Sequence, residues 1–286
     1  MGMRDRTLHA LTRSDFVRSA YGALRKIPGA GSGIQKLVRT AWPLGKRSWI
    51  RIPQGMGKDL WMNIDARFDL GYVNGDYEPW IQTLLTRELG LGDCFYELGA
   101  HTGFFAMIAS RAVGPTGQVV AFEPDPDNVA TLKANAARNR MNQITVVQGA
   151  VWSCSGLVTF ERAAAVSSRT QGHISTSTSS SRGAITVPSF RLDEMVFEKG
   201  YPAPSLMKMD IEGAEWGALQ GAQRLLTGAK PKVFCEVHEP EDMGKIQDYF
   251  KQVGYAVEEW KPVHEHYQDY HRLYLWAVPC PRAGNK

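Results

Sequence analysis

The chain has 286 residues, of which 43% are hydrophobic and 22% charged, a balance that excludes a disordered protein. No run approaches the roughly 18 consecutive apolar residues that span a bilayer, and the N-terminus has charges where a signal peptide has its apolar core. We therefore expect a cytoplasmic protein. The four cysteines form no CxxC pair, which indicates neither a zinc ribbon nor a disulfide scaffold.

The N-terminal leader is basic, whereas the rest of the chain is mildly acidic. Residues 1–51 hold eleven Lys and Arg against two Asp, a net charge of +9, and the remainder carries 22 basic and 27 acidic groups, or −5. This asymmetry indicates either contact with an anionic surface, such as the lipid headgroups at the inner face of a membrane or a polyanion, or a solvated helical face. Apolar spacing over residues 7–27 predicts an amphipathic helix, and Pro28 with the following GAGSG predicts a hinge.

A β-hairpin is predicted after the leader. Residues 48–65 carry aromatic and β-branched side chains on both sides of a glycine-rich turn, the pattern of two short strands. We therefore expect an N-terminal extension of residues 1–74, made of helix, hinge and hairpin, in which the hairpin caps the following domain.

Strands and helices alternate along residues 75–286, which predicts an α/β domain with a parallel sheet and crossover helices. The Ser/Thr/Gly-rich segment 163–183 predicts a mobile loop within an inserted hairpin. Strands are predicted at 93–99, 118–124, 144–149, 158–162, 184–190, 205–210, 232–237, 255–260 and 271–278, and helices at 104–113, 128–139, 214–226 and 243–253.

Two strand ends carry residues that suit a nucleoside cofactor, since ligands of an open parallel sheet bind beyond the carboxyl ends of its strands. Residues 97–103 (ELGAHTG) lead from a strand into a helix, where small residues let a ligand approach the backbone. Glu123 ends the next strand, 20 residues after Gly103, where a carboxylate accepts both hydroxyls of a ribose. NAD and FAD fit poorly, because their fingerprint needs glycine where His101 and Phe104 stand.

Four stretches carry a resemblance to a known family: ELGAHTGFFA, AFEPDPDNVATLKANAARN, KMDIEGAEWGALQGAQRLL and EVH. Together they resemble the FkbM family of S-adenosylmethionine-dependent methyltransferases over about residues 75–260. The family implies a Rossmann-like class I methyltransferase fold, with a mostly parallel seven-stranded sheet and helices on both faces. Its usual residue at position 101 is Asn, so His101 departs from the pattern.

The resemblance also implies where S-adenosylmethionine binds. Glu97 and the backbone of Gly99 would hold the aminocarboxypropyl group, directly or through water, and Glu123 would bind the ribose. The alternative for both carboxylates is a structural role at helix N-termini, where the dipole favours negative charge. The implied cofactor-binding residues are Glu97, Gly99, Ala100, His101, Thr102, Gly103, Glu123, Pro124, Gly149, Ala150 and Asp210, with Gly149 and Ala150 at the adenine edge.

Catalytic residues are predicted at the ends of two further strands, which bring Asp210, Glu236 and His238 together if both strands lie beside the first. Methyl transfer to oxygen requires an acceptor that is held in line and relieved of its proton. Either His238 or Asp210 is the general base, the option we favour, or all three residues bind a divalent ion, for which hard carboxylates suit Mg²⁺. A third interpretation makes His238 a structural residue that hydrogen-bonds Glu236.

Three neighbouring residues receive lesser roles. Glu212 is a secondary site residue and Glu215 is mostly structural, because both lie in the first turn of the next helix, where the dipole by itself favours acidic residues. Lys208 alternates with Asp210 along its strand and is expected to pair with a carboxylate.

An acceptor pocket is predicted near the C-terminus, where aromatic and imidazole groups can stack on sugar rings and bind hydroxyls, with the Ser-rich loop as a lid. Edge-strand packing is the alternative. The residues of this cluster are Trp260, His264, His266, Tyr267, Tyr270 and His271.

The resemblance thus implies an O-methyltransferase that acts on a hydroxyl of a glycan, glycolipid or polyketide-like small molecule, held near the membrane by the basic leader. A nucleic-acid methyltransferase is disfavoured by the acidic body and by the missing Asn/Asp-Pro-Pro-Tyr/Phe block. A non-catalytic cofactor- or glycan-binding module is disfavoured because it has no need of Glu97, Gly99, Glu123 and Asp210 together.

Overall fold

The computed structural model describes residues 47–65, 72, 75–162, 172–175, 183–261 and 273–281. The strands of this part are β1 (Arg47–Arg51), β2 (Trp61–Asp65), β3 (Cys94–Leu98), β4 (Gln118–Glu123), β5 (Ile144–Gln148), β6 (Ala150–Val151), β7 (Gly156–Glu161), β8 (His173–Ser175), β9 (Ala184–Phe190), β10 (Leu206–Met209), β11 (Lys232–Val237), β12 (Tyr255–Trp260) and β13 (Leu273–Pro279). Its α-helices are α1 (Pro79–Glu88), α2 (Phe104–Val113), α3 (Pro126–Arg138), α4 (Leu192–Phe197), α5 (Glu215–Gln220), α6 (Gln223–Gly228) and α7 (Met243–Gln252).

Seven of these strands form the central sheet, in the order β12-β13-β11-β10-β3-β4-β5. Strands β3, β4, β5, β10 and β11 run parallel, and β13 is antiparallel to both of its neighbours. The strand order reverses between β3 and β10, the position at which open α/β sheets bind their ligands. The mostly parallel seven-stranded sheet that the family resemblance implies is confirmed.

Apolar side chains cover both faces of this sheet. Along β3, Phe95 packs into a cluster with α1, α2 and the hairpin, whereas Tyr96 and Leu98 pack into a second cluster with helices α4 to α7. The alternation follows from the pleat of the strand, which directs successive side chains to opposite faces. The predicted placement of helices on both faces is therefore confirmed.

The N-terminal hairpin is present and packs on the sheet domain. Strands β1 and β2 pair antiparallel, and their buried residues belong to the same cluster as α1 and α2. The side chain of Asn135 in α3 accepts a hydrogen bond from the Asn63 amide at 2.8 Å and donates one to the Thr102 carbonyl at 2.9 Å. The predicted hairpin is therefore present and packs against the sheet domain, while its role as a cap and a domain boundary at residue 75 stay predictions.

The predicted insertion is a small second sheet, ordered β6-β9-β7-β8. Strands β7 and β9 form the expected antiparallel hairpin, and β8 adds a strand that the Ser/Thr-rich composition did not indicate. The rest of the predicted 163–183 loop, apart from residues 172–175 and 183, lies outside the described residues.

The structure divides the helix predicted at 214–226 into α5 and α6. A Cβ atom at Gly221 would lie 2.3 Å from the Trp152 carbonyl oxygen, and one at Gly217 would lie 2.4 Å from the Trp152 ring. Trp152, in the segment after β6, therefore packs directly against this region, which has glycine at both contacts. The prediction of a single long helix was wrong, because the spacing of apolar residues carries no information about this tertiary contact.

The predicted leader helix and hinge lie outside the described residues. Where the structure describes the chain, it contains no helix that is both long enough and apolar enough to cross a membrane.

Candidate active site

The turn after β3 brings the ends of two neighbouring strands into contact. Gly99 has a φ of +84°, and a Cβ atom there would lie 1.9 Å from the Asp210 carbonyl oxygen, so only glycine fits. His101 also has a positive φ, of 49°, a conformation in which Asn and His are both enriched. His101 therefore meets the same backbone requirement as the Asn of the family pattern.

The amide groups of this turn are bonded within the protein. Gly99 and Ala100 both donate to the Phe122 carbonyl, at 3.0 and 2.9 Å, and His101 donates to Oε2 of Glu123 at 2.7 Å. Gly99 therefore offers a ligand its carbonyl, because its N–H group is already used and the Asp210 carbonyl fills the place of its missing side chain. Gly103 precedes α2 with a φ of +85°, and a Cβ atom there would lie 2.7 Å from Leu132 Cγ.

Glu97 is buried near the end of β3, with 1% of its surface exposed. It accepts a hydrogen bond from the Ala106 backbone in the first turn of α2, which agrees with the structural alternative for this carboxyl. Burial raises the pKa of Glu97 to about 8, against the opposing charge of Lys208. Its Oε2 atom has no hydrogen-bond partner within the described ranges, and this buried oxygen fits a polar group of a bound cofactor.

Glu123 connects the turn to the N-terminus of α3. Its Oε1 accepts hydrogen bonds from the Asp125 amide at 3.0 Å and from the Asn128 side chain at 3.3 Å, in addition to the bond from His101 to Oε2. Burial raises the pKa of this carboxyl. A carboxylate has about four acceptor positions, so Oε2 retains capacity for a ribose hydroxyl.

The predicted adenine edge lies beside Glu123. The Gly149 amide donates to the Glu123 carbonyl at 3.0 Å, and Pro124 follows Glu123 directly. Ala150 is 5% exposed and packs with Phe160 in the core of the insertion. The backbone of residues 149–150 is thus near the expected position, but the Ala150 side chain serves the insertion.

Arg162, which the sequence did not single out, fixes the insertion to α3. Its Nε and Nη2 atoms donate to the two oxygens of Asp125 at 2.7 and 3.1 Å, and Nη2 also pairs with Asp127. Asp125 is the N-cap of α3 and accepts from the amides of Asp127 and Asn128. This contact holds the insertion next to the predicted cofactor residues.

The three predicted catalytic residues meet at the ends of β10 and β11. Met209 pairs with Cys235 in the parallel register, so Asp210 and Glu236 follow at equivalent positions on neighbouring strands. His238 Nε2 lies 3.6 Å from Asp210 Oδ1 and 3.7 Å from Glu236 Oε1. One potential ligand atom from each of Asp210, Glu236 and His238 lies within 4.8 Å of the other two.

Two further carboxylates complete the surroundings of His238. Its Nε2 lies 3.3 Å from Glu212 Oε2, and its Nδ1 lies 2.8 Å from Glu215 Oε1. The interpretation of His238 as a residue bonded to Glu236 is therefore wrong, because the short bond goes to Glu215. Glu215 was expected to be mostly structural, but the dipole does not account for its contacts, since its side chain is 2% exposed and faces the site.

The carboxylates around His238 favour the protonated, positively charged form of its ring. Burial alone would lower the pKa of His238, but the hydrogen bond to Glu215 and the charges of Asp210 and Glu212 raise it to about 9. At neutral pH the unliganded protein therefore carries a proton on both ring nitrogens of His238.

Lys208 pairs with a carboxylate, as expected. Its Nζ is buried and donates to Asp210 Oδ2 at 2.8 Å, and it lies 5.1 Å from the Phe105 ring centroid. Burial opposes the charge, but Asp210 and Glu97 raise the pKa of Lys208 above its usual value. Lys208 thus compensates the charge of Asp210 and lowers the cost of ionising Glu97.

Trp260 is the one residue of the predicted acceptor cluster within the described ranges, and it packs in the fold. Its ring contacts Phe234 edge to face at 5.9 Å, and the Arg87 guanidinium lies 5.9 Å above it. This agrees with the packing alternative for Trp260. His264, His266, Tyr267, Tyr270 and His271 lie outside the described residues.

Fold and site together define a class of protein. A parallel sheet with an antiparallel strand next to its edge, a glycine turn after β3 and a buried carboxylate ending β4 are the features of a Rossmann-like class I methyltransferase that uses S-adenosylmethionine. The family model of the methyltransferase FkbM domain matches residues 97–257. The chain therefore belongs to the FkbM methyltransferase family, and the resemblance seen in the sequence is confirmed.

Individual relatives are more distant. The chain is 30% identical over 166 residues to the hexuronic acid methyltransferase AglP of Haloferax volcanii, covering 57% of this chain and 64% of that protein. It is 28% identical over 197 residues to the 31-O-demethyl-FK506 methyltransferase FkbM of Streptomyces tacrolimicus, covering 59% of this chain and 75% of that protein. Among solved structures, methyltransferase FkbM from Methylobacillus flagellatus aligns with a TM-score of 0.49 at 20% identity, over 65% of this chain and 44% of that one.

Proposed function

We propose that this protein transfers a methyl group from S-adenosylmethionine to a hydroxyl of a glycan, glycolipid or polyketide-like small molecule. The observation that carries the proposal is the convergence of Asp210, Glu236 and His238 beside the glycine turn. Methylation at oxygen needs a group that takes up the hydroxyl proton, and this cluster offers such groups. The names of the two relatives, which refer to a hexuronic acid and to a 31-O-demethyl compound, support an oxygen acceptor.

The cofactor would be held by the turn after β3 and by the end of β4. Glu97 Oε2 would accept from its amino group, the backbone of Gly99 would contact its aminocarboxypropyl chain, and Glu123 would accept from its ribose. Gly149 and Pro124 would border the adenine. When bound, S-adenosylmethionine supplies a methyl group that its sulfonium makes electrophilic.

We place the proton acceptor at Asp210. Its Oδ2 is held by Lys208, whereas Oδ1 faces His238 and the centre of the cluster. His238 carries its own proton at neutral pH, because its pKa is about 9. The imidazolium therefore acts as a hydrogen-bond donor that orients the acceptor oxygen, and Asp210 takes up the hydroxyl proton.

Calorimetric titration tests the cofactor part of the proposal. We expect S-adenosylmethionine and S-adenosylhomocysteine to bind and NAD not to bind. An acceptor screen follows, with hexuronic-acid glycans and glycolipids first and nucleic acid as a comparison, scored by transfer of a labelled methyl group. Failure of both cofactor forms to bind, with or without the acceptor pool, would contradict the proposal.

Replacement of Glu123 by alanine should weaken cofactor binding. We expect a loss of about 1.5 to 3 kcal/mol, the scale of a hydrogen bond to a charged group. Glu88→Ala is the matched control. The Glu88 carboxylate also forms a charged contact, to Lys232 Nζ at 2.7 Å, but this pair does not belong to the glycine turn. An unchanged affinity in Glu123→Ala would remove this residue from the cofactor site.

A divalent ion bound by Asp210, Glu236 and His238 is the alternative to a metal-free site. The same titrations and the transfer assay, repeated with EDTA and with added Mg²⁺, separate the two. We expect unchanged transfer in EDTA. Loss of transfer in EDTA that Mg²⁺ restores would favour metal activation of the hydroxyl over proton uptake by Asp210.

The basic leader would hold the enzyme at an anionic membrane. Deletion of residues 1–40 should reduce co-sedimentation with phosphatidylserine-containing vesicles and leave cofactor affinity unchanged, because the +9 charge of residues 1–51 would supply the attraction. Vesicles of neutral lipid are the control. Vesicle binding that persists after the deletion would contradict the proposal that the leader mediates membrane attachment.

A further inference from the structure

Glu215 differs from an ordinary acidic residue at a helix start. Its carboxylate is turned inward, with 2% of the side chain exposed, and one oxygen atom, Oε1, is within hydrogen-bond distance of three nitrogens. These are the amides of Ile211 and Gly213, at 3.3 and 3.2 Å, and His238 Nδ1, at 2.8 Å. The helix dipole accounts for a negative charge here but not for this set of partners.

The hydrogen bonds from the two backbone amides to Glu215 hold a strained turn in place. Glu212 has a φ of 52° and Gly213 a φ of 92°, so two successive residues occupy the left-handed region, which is costly for a residue other than glycine. This turn carries Asp210 and Glu212 to the site. Glu215 therefore fixes the backbone on one side of the cluster.

The third bond sets the orientation of the imidazole. Because Oε1 only accepts, Nδ1 is the donor, and Nε2 is left pointing at the other carboxylates. The charged groups around Nε2 come from every neighbouring element: Asp210 after β10, Glu212 in the turn and Glu236 in β11. Without Glu215, those three carboxylates would be the remaining acceptors for either ring nitrogen, and the ring would have no fixed orientation.

We propose that Glu215 is a positioning residue for methyl transfer, which fixes both the ring of His238 and the turn that carries Asp210 and Glu212. The inference rests on the proposed function only for its kinetic consequence. The hydrogen bond itself can be tested in the protein without an acceptor.

The first experiment observes the His238 ring directly. In ¹⁵N-histidine-labelled protein at fixed pH, a low-field Nδ1 proton that is protected from exchange should be visible, assigned by its absence in His238→Ala. It should disappear in Glu215→Ala and move to higher field in Glu215→Gln, because a neutral acceptor makes a weaker bond than a carboxylate. Asp193→Asn is the matched control: Asp193 also accepts from two backbone amides, those of Arg224 and Leu225, but its described hydrogen bonds do not include the His238 ring.

The second experiment separates positioning from support of the fold. The carboxamide introduced by Glu215→Gln still offers one oxygen to the Ile211 and Gly213 amides, so the turn should persist and S-adenosylhomocysteine affinity should change less than about threefold. We expect kcat to fall about 10- to 100-fold, the range known for replacing a carboxylate that orients a metal-bound histidine. Asp193→Asn should leave kcat unchanged.

The outcomes distinguish this inference from the proposed function. A His238 proton that is the same in wild type, Glu215→Gln and Glu215→Ala would overturn the positioning role, as would full kcat in Glu215→Gln. If wild-type protein binds no cofactor and methylates nothing, the proposed function fails, and the resonance still decides whether Glu215 orients His238. If Glu215→Ala does not fold, Glu215→Gln alone decides.

Discussion

Replacement of Asp210 by asparagine should lower the rate of methyl transfer by about 10²- to 10⁴-fold, the range associated with loss of a general base. Asparagine keeps the shape of the side chain and can still accept a hydrogen bond from Lys208, which lies 2.8 Å from Oδ2. It cannot take up a proton at Oδ1. The cofactor dissociation constant should change far less than kcat, because the backbone carbonyl that contacts Gly99 remains in place.

Asp242→Asn provides a matched control for this variant. Asp242 also pairs with a lysine, Lys245, at 2.6 Å, and its side chain is 16% exposed, close to the 18% of Asp210. It lies in the 3₁₀ turn before α7 and should affect neither rate nor cofactor affinity. If Asp210→Asn transferred methyl groups at the wild-type rate, Asp210 would have no part in proton uptake, and metal activation or direct loss of the proton to water would take its place.

Local patterns predicted most of the sheet domain. Strands β9, β11 and β12 and helix α2 begin and end where the sequence placed them, because their apolar runs are bounded by Gly, Pro or charged residues. Helix α1 was missed although its signals are present: Pro79 lies in its first turn, and Trp80, Ile81, Leu84 and Leu85 form a buried face. Helix α4 has only six residues, too few for a periodic pattern to be recognised.

The sequence predicted which residues lie at the ends of the strands. It did not predict the contacts that depend on the direction in which a side chain points. Asp210 and Glu236 were expected to meet, since parallel strands place their carboxyl ends along one edge. The partner of His238 was not predictable, because Glu215 is separated from it by the rest of α5, by α6 and by β11. A glutamate in the first turn of a helix looks the same in sequence whether it faces water or a histidine. Arg162 was missed for the same reason: its partners, Asp125 and Asp127, belong to another sheet's helix.

The largest structural effect is expected for Gly99→Ala. The new methyl carbon would lie 1.9 Å from the Asp210 carbonyl oxygen, and that atom belongs to the backbone at the end of β10 and cannot rotate away. The φ of +84° adds conformational strain for any residue other than glycine. Strain and overpacking together should lower the free energy of unfolding by about 2 to 5 kcal/mol.

Gly200→Ala separates the two contributions. Gly200 has a similar φ of +74° but no atom within 4 Å of the position its Cβ would take, so it experiences the strain without the collision. We expect a loss of about 1 to 2 kcal/mol there and unchanged cofactor affinity, measured by urea denaturation and calorimetry. In Gly99→Ala, β3 and β10 can accept the methyl group only by moving apart, which displaces both Glu97 and Asp210, so cofactor binding should be lost even in the fraction that remains folded. Equal destabilisation in the two variants, with cofactor binding retained in Gly99→Ala, would mean that the close approach of the two strand ends does not shape the cofactor site.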